Sequence, residues 1–275
     1  MASNGKNPID DWYFDGSSKF KIAKFDPAAK PCTTGSKAGD LARLAELSAR
    51  IEALQDIFYA EHRRKLLVVL QGMDTAGKDG TVRTVFRALD PLGLRVVGFK
   101  VPTPLELAHD FLWRIHAEVP AAGEIVIFNR SHYEDVLVTR VHGDIDAAES
   151  KRRYAHINAF EQMLTETGTT IVKCFLHISK EEQRDRLQMR IDDPQKHWKL
   201  GMADIEERKF WEDYMAAYED AINATATPHA PWHIIPANSK SHRSLMVAEI
   251  LLQVMERLQP EYPVGNPAFL GLKIE

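Results

Sequence analysis

The feature that most constrains the fold is a fivefold alternation of short apolar runs with longer segments of helical pattern. The first run, KLLVVLQ, is too short for a typical helix and almost entirely apolar after Lys65, which favours a strand covered on both faces. Strands that alternate with helices predict an α/β fold in three layers, with a five-stranded parallel sheet flanked by helices. The predicted strands are KLLVVLQ (65–71), LRVVGFK (94–100), EIVIF (124–128), TIVKCFLHI (170–178) and WHIIPA (232–237).

The predicted helices suggest the domain organisation. Apolar residues recur at spacings of three and four from Leu41 to Phe58, which indicates one face of an amphipathic helix. Residues 1–40 contain several Gly, Pro and Ser and little periodicity, and we interpret them as an arm lying on the domain. Residues 41–275 are predicted to form a single domain. In it, one helix ends near Pro91, and another has Thr103 as its N-cap and continues through LWRIHAEV.

A glycine-rich loop follows the first predicted strand and has the spacing G-x-x-x-x-G-K. Ligands of parallel sheets bind at the carboxyl ends of strands, and this spacing lets main-chain N–H groups surround a phosphate while the lysine reaches it. The strand before the loop and the helical pattern after it favour phosphate binding over a plain turn. The predicted phosphate-binding residues are Gly72, Thr75, Ala76, Gly77, Lys78, Asp79 and Gly80, with Arg83 one helical turn further on.

Asp79 occupies the position at which P-loop enzymes usually place a magnesium-binding Ser or Thr. An aspartate at a helix start also complements the helix dipole. If the site uses magnesium, another oxygen must replace the hydroxyl, and Asp74 inside the loop is the nearest candidate.

A second polar segment, NRSHYED, follows the predicted strand EIVIF. A P-loop enzyme is expected to place its second metal-holding carboxylate here, and Glu134 and Asp135 are both candidates. The alternative is that Asn129 and Ser131 cap a helix whose first turn contains the two acids. We expect Arg130 and the acids to face the same phosphates as the loop.

The third informative segment, about residues 180–202, is rich in cations. Arg186 and Arg190 are four residues apart on one helix face, and Lys196 and Lys199 follow the break after that helix. The functional interpretation is a mobile basic lid that closes over phosphates and excludes water. The alternative is an ordinary solvated face paired with nearby acids.

Composition excludes several classes of function. A net charge of −4 argues against a protein that coats nucleic acid, so an anionic ligand requires a local cationic patch. No apolar run approaches the ~20 residues of a membrane span, and the N-terminus lacks the pattern of a signal peptide. Cys32 and Cys174 are too few for a disulfide framework or a zinc site. We expect a cytoplasmic protein without a nucleic-acid or membrane partner.

Four segments, in this order, resemble the second family of polyphosphate kinases, specifically its class III: GMDTAGKDGT, FKVPTPLELAHDFLWRIH, FNRSHYEDVLVTRVH and DDPQKHWK. The resemblance covers almost the whole chain and includes Asp79. It implies a P-loop kinase fold with a helical lid, and Mg²⁺-dependent transfer of the terminal phosphoryl group of inorganic polyphosphate directly to a nucleotide, without a covalent phosphoenzyme. The implied acceptors are AMP and ADP, with guanine nucleotides as further candidates.

The resemblance also implies roles for individual residues. Asp74 and Asp135 would hold the metal, Mg²⁺ or alternatively Mn²⁺, while Lys78 would bind the phosphate chain and Arg130 would neutralise the transferred group. Asn129 and Glu134 would lie near the nucleotide, and Arg186, Arg190, Lys196 and Lys199 would belong to the lid. Family members commonly associate, so we expect a homo-oligomer, a dimer or a tetramer. The candidate cations for a track along the polymer are Arg83 and the arm residues Lys19, Lys21, Lys24 and Lys37.

Two other classes of function stay open at this point. One is a nucleotide kinase that uses ATP as its donor, because the same loop and lid would serve it. The other is a regulator that binds nucleotide or polyphosphate without turnover. Incubation with AMP, Mg²⁺ and polyphosphate but no ATP separates the first alternative from a polyphosphate-dependent enzyme.

Overall fold

A computed structural model describes residues 7–274, so the first six residues of the predicted arm and the last residue of the predicted domain lie outside the described residues. One six-stranded sheet runs through these residues in the order β1-β6-β5-β2-β4-β3. The strands are β1 (Tyr13–Phe14), β2 (Lys65–Gln71), β3 (Leu94–Gly98), β4 (Ile125–Asn129), β5 (Thr169–His177) and β6 (Trp232–Pro236).

The five predicted strands form the parallel part of this sheet, which confirms the predicted fold class. Strand β2 lies near the centre, where Val68 is opposite Ile127 of β4 and Val172 of β5. All of β2 after Lys65 is buried, as its run of apolar residues predicts.

The sixth strand is an addition to the predicted sheet. Strand β1, from the arm, pairs antiparallel with β6, with Tyr13 opposite His233. The arm also contributes Ile9, Phe14 and Phe20 to the hydrophobic core. The described part of the arm is therefore packed into the domain.

Helices cover both faces of the sheet. On one side α1 and α2 both contact α10, and on the other α5, α6 and α9 contact one another. The longer helices are α1 (Lys37–Glu61), α2 (Lys78–Val85), α5 (Glu134–Val141), α6 (Ala147–Glu166), α7 (Lys180–Ile191), α9 (Trp211–Thr225) and α10 (Lys240–Leu258). The short helices are α3 (Pro104–Leu107), α4 (Trp113–His116) and α8 (Met202–Glu206).

Two helix predictions were wrong in extent. The helix predicted to end near Pro91 ends at Val85, and the buried side chains of Phe86 and Leu89 follow it in a turn. The helix predicted from Thr103 is two short helices, α3 and α4, although Thr103 does form the N-cap. Between them the Asp110 carboxylate accepts a hydrogen bond from the Leu112 N–H, a local bond that competes with helix continuation.

The strand order places the predicted phosphate loop at a crevice. From β2 the sheet extends to β4 and β3 on one side and to β5 and β6 on the other. In open α/β sheets, ligands bind at the carboxyl ends of the strands where the connections diverge in this way. The loop starting at Gly72 begins there. Among residues 7–274, no helix combines the length and apolar character needed to cross a membrane.

Candidate active site

The loop from Gly72 to Lys78 depends on backbone conformations that glycine tolerates. Gly72 has a φ of +151° and Gly77 a φ of +108°. A Cβ atom on Gly72 would lie 2.7 Å from the main-chain oxygen of Leu176, so a side chain would collide with strand β5. Thr75 also has a positive φ of 63°, although it carries a side chain. These conformations make the sharp bend between β2 and α2.

Lys78 begins α2 and is buried inside this bend. Its Nζ donates hydrogen bonds to the main-chain oxygens of Gly72, at 2.6 Å, and of Met73, at 3.3 Å. Burial, and secondarily the charge of Arg130, lowers the pKa of Lys78. Since an anion beside the amine would oppose both effects, the site is electrostatically suited to a phosphate.

Arg130 lies across the crevice, just after β4, with a φ of +65°. A left-handed conformation costs a residue with a side chain about 1–2 kcal/mol. Arg130 Nη2 donates to Asp74 Oδ1 at 2.8 Å, and Nη1 lies 3.8 Å from Glu134 Oε2. Glu134 also accepts a hydrogen bond from Gln71 Nε2 at 3.0 Å. Residues 129–135, here called the Arg130 segment, are therefore linked both to β2 and to the loop.

Two further predicted residues meet at the start of α2. Asn129 Nδ2 donates to Asp79 Oδ1 at 2.6 Å. Asp79 lies in the first turn of α2, where its charge complements the helix dipole as the sequence suggests. This hydrogen bond joins the end of β4 to the start of α2.

Asp135 differs from the prediction, because it does not line the same cavity as Asp74. It is buried, and its Oδ2 atom lies 3.9 Å from Arg114 Nη2 and has no hydrogen-bond partner. Successive helical residues are rotated by about 100°, so Glu134 and Asp135 cannot face the same way. In the described conformation Glu134 faces Arg130. The metal-holding pair of Asp74 and Asp135 stays a prediction that would require a different arrangement of Asp135.

Burial raises the pKa of Asp135 to about 6, against the opposing charges of Arg114 and Arg153. The folded state therefore binds a proton more tightly than the unfolded chain. The resulting stability is present below about pH 4 and is lost as the pH rises through about 6.

Asp135→Asn should remove this pH dependence, because the amide stays neutral. Relative to the wild type, the variant should gain about 2–3 kcal/mol in free energy of unfolding between pH 4 and pH 7. Urea unfolding with a chelator present measures this difference. A constant difference between the two proteins across that range would contradict the raised pKa.

A cavity of about 710 Å³ lies over the loop. Ten lysines and arginines line it against three aspartates, Asp74, Asp79 and Asp204, which meets the requirement for a local cationic patch. The cations are Lys78, Arg83, Lys100, Arg130, Arg186, Arg190, Lys196, Lys199, Lys240 and Arg243. Predicted residues that also line it are Thr75, Gly77, Gly80 and Asn129. Gly72, Ala76, Glu134 and Asp135 do not line it.

The predicted lid residues have two different environments. Arg186 is buried and donates to the carbonyls of Thr75, Ala76, Ala237 and Asn238, so it braces the loop against the end of β6. Its burial contradicts the alternative of an ordinary solvated face, whereas its membership of a lid stays a prediction, and Arg186 also lines the cavity. Arg190, Lys196 and Lys199 line the cavity. Trp198 beside them is 75% exposed.

Three of the cations that line the cavity were not predicted from the sequence: Lys100, Lys240 and Arg243. Arg243 is buried and donates to the Ala76 carbonyl at 3.2 Å. All three follow a strand, Lys100 after β3 and the other two after β6, and that position was a usable signal.

The arm lysines do not support the proposed polymer track. None of Lys19, Lys21, Lys24 and Lys37 lines the cavity, and Lys21 Nζ pairs with Glu219 at 2.9 Å. Arg83 is the one predicted track residue that lines it.

A divalent metal at this site would need oxygen ligands from nearby side chains. Among residues 7–274, no three His, Cys, Asp or Glu side chains converge on a common point. Mg²⁺ in phosphate sites typically uses only one or two carboxylates, with water and substrate oxygens completing its shell. Asp74 and Asp79 supply such carboxylates in the cavity, so the donor chemistry fits Mg²⁺ or Mn²⁺.

Comparisons with known proteins agree on one family. A family model described as polyphosphate kinase 2 matches residues 34–263. An AMP/ADP-polyphosphate phosphotransferase of Meiothermus ruber is 51% identical over 257 residues, which cover 94% of this chain and 96% of the relative. An ADP-polyphosphate phosphotransferase of Rhodopseudomonas palustris is 44% identical over 80% of both chains. The crystal structure of polyphosphate kinase 2 from Arthrobacter aurescens TC1 has a TM-score of 0.91 and 49% identity, and the match covers 95% of this chain and 93% of that chain.

Proposed function

The chain belongs to the polyphosphate kinase 2 family, and on this premise we propose that it transfers the terminal phosphoryl group of inorganic polyphosphate to AMP and ADP. The observation that carries the proposal is the cavity in which ten cationic side chains surround the glycine-rich loop. Donor and acceptor are both polyanions, so bringing them together requires such an excess of positive charge.

The proposed reaction is a direct displacement. An oxygen of the acceptor's terminal phosphate attacks the terminal phosphorus of polyphosphate. A new P–O bond forms, and the bond to the next phosphate breaks. The leaving chain, one phosphate shorter, keeps the electron pair on its terminal oxygen. The attacking phosphate has a second pKa of about 6 and is largely ionised at neutral pH, so a strong general base is unnecessary.

The side chains of the site would act mainly by position and charge. The loop amides and Lys78 would hold phosphate oxygens of the donor, and Arg130 would neutralise the group in transfer. Arg130 already contacts Asp74 at 2.8 Å, so binding of phosphate would exchange one anionic partner of the guanidinium for another. Asp74 would then be free to align the metal-bound phosphates.

We propose that the reaction depends on Mg²⁺, which Mn²⁺ can replace. When bound, the metal supplies charge neutralisation and alignment of phosphate oxygens. Asp74 is the first candidate to hold it, with Asp79 as the second carboxylate of the cavity in the described conformation. The lid cations Arg190, Lys196 and Lys199 would close over the phosphates and exclude water.

The test uses polyphosphate as the only phosphoryl donor. With AMP, Mg²⁺ and polyphosphate but no ATP, we expect ADP and then ATP, separated by anion-exchange chromatography. A nucleotide kinase that needs ATP would form no product in this mixture, and a binding regulator would form none with either donor. Parallel reactions with ADP, GMP and GDP test the proposed range of acceptors.

We also propose a homo-oligomer, a dimer or a tetramer. In support, the segment after α10 exposes large apolar side chains, with Val264 98%, Leu270 85% and Ile274 96% exposed. Light scattering should give a mass of at least two chains. The mass of one chain at working concentration would contradict this proposal.

A further inference from the structure

A buried ionic cluster lies in the core behind the Arg130 segment. Lys173 of β5 and Glu161 of α6 are both almost completely buried, and Lys173 Nζ donates to Glu161 Oε2 at 2.6 Å. Lys173 Nζ also donates to the main-chain oxygen of Thr225 at 2.8 Å. A buried ion pair of this kind generally adds little to stability compared with apolar residues of similar volume. The presence of the Lys173–Glu161 ion pair therefore needs an explanation other than stability.

Two residues of the Arg130 segment complete the cluster. The Tyr133 hydroxyl donates to Glu161 Oε1 at 2.8 Å and accepts from Lys173 Nζ at 2.9 Å. His132 Nε2 lies 3.2 Å from the same Glu161 oxygen. Both side chains are fully buried. The cluster therefore holds the segment from inside the protein.

The same segment carries Asn129 and Arg130, which line the cavity. Arg130 comes two residues before His132 and has a left-handed backbone, and Glu134 directly follows Tyr133. A strained conformation persists only where the surroundings determine it strongly. The cluster supplies such a restraint immediately after the strained residue.

We propose that Tyr133, Lys173 and Glu161 are positioning residues, which fix the Arg130 segment so that the Arg130 guanidinium faces the phosphate loop. The inference rests on the proposed phosphoryl transfer for its kinetic consequence. None of the three side chains lines the cavity, so the cluster would act through Arg130.

The test compares two variants that each remove one buried hydroxyl. Tyr133→Phe keeps the ring but loses the bonds to Glu161 and Lys173. Ser150→Ala loses the hydrogen bond that its hydroxyl donates to the Asp146 carbonyl at 2.9 Å. Ser150 is buried on α6, the helix that carries Glu161, and its hydroxyl is not one of the groups of the cluster, so it is the matched control.

We expect Tyr133→Phe to lower kcat about tenfold with polyphosphate and AMP, while the KM for AMP changes less than about twofold. Ser150→Ala should keep kcat within about twofold. In an Arg130→Ala background, Tyr133→Phe should have almost no further effect, because the residue through which it acts is gone. Amide hydrogen exchange of residues 129–135 should accelerate in Tyr133→Phe and not in Ser150→Ala.

The inference is overturned if the two variants lose kcat equally, if Tyr133→Phe retains its full effect without Arg130, or if exchange of residues 129–135 is the same in both. Thermal unfolding shows whether the variants are equally folded. A wild-type protein without polyphosphate-dependent turnover would refute the proposed function alone. The exchange comparison would then still decide whether the cluster holds the segment.

Discussion

Replacement of Lys78 by methionine is expected to lower kcat/KM for polyphosphate about a thousandfold. Lys78 is the cation enclosed by the glycine-rich loop, and its Nζ donates hydrogen bonds to main-chain oxygens of that loop, Gly72 at 2.6 Å and Met73 at 3.3 Å. Removal of one preorganised charged donor from a water-excluded site typically costs 10²–10³-fold in rate, and phosphoryl transfer lies at the upper end because its charge is large.

The loss of kcat/KM should occur although the Lys78→Met variant stays folded. Methionine has a similar length and does not need to place a charge in a buried position, which burial disfavours. Steady-state kinetics with varied polyphosphate, together with thermal unfolding, separates a catalytic from a structural effect.

Lys65→Met is the matched control for this variant. Lys65 is at the opposite end of the same strand, β2, where its Nζ donates to the Thr167 carbonyl. We expect its kcat/KM to stay within about twofold of the wild type. Similar losses in the two variants would show that charge near Lys78 has no special role.

The second large effect is expected for Gly77→Ala. Gly77 has a φ of +108°, and its Cβ would lie 1.8 Å from Arg243 Nη1. Arg243 donates to the Ala76 carbonyl, so its guanidinium would have to give up that hydrogen bond and move into the cavity. Backbone strain and overpacking together should cost about 2–4 kcal/mol in free energy of unfolding, measured with urea. Displacement of Arg243 should also distort the loop and lower phosphate affinity.

Gly143→Ala separates these two causes. Gly143 also has a positive φ, of 77°, but nothing lies within 4 Å of its Cβ position. This variant should lose only the strain contribution, about 1–2 kcal/mol, and keep its activity. If Gly77→Ala is no less stable than Gly143→Ala, Arg243 does not pack against the loop in solution.

The central part of the fold could be predicted because its signals are local. The apolar runs and the glycine spacing lie within a few residues of one another, so β2 and the loop from Gly72 to Lys78 were identified together. Strand β1 could not be predicted, because two residues have no periodicity. Its pairing partner in β6 is far along the chain.

The site was predicted less completely, because side-chain direction depends on packing. The sequence shows that Glu134 and Asp135 follow a strand. Which of them faces the loop depends on the rotation of α5, whose Val136 and Leu137 are buried. The spacing of Arg186 and Arg190 suggested one shared surface. Both line the cavity, but only the tertiary structure shows that Arg186 is buried against the loop carbonyls while Arg190 is half-buried.

The measurement that tests the central claim most directly is the initial rate with polyphosphate as the only donor, recorded over a grid of polyphosphate and AMP concentrations. If one cavity holds both polyanions for direct transfer, the double-reciprocal lines should intersect. Parallel lines, the signature of a covalent phosphoenzyme, would contradict the account, as would the absence of any rate without ATP.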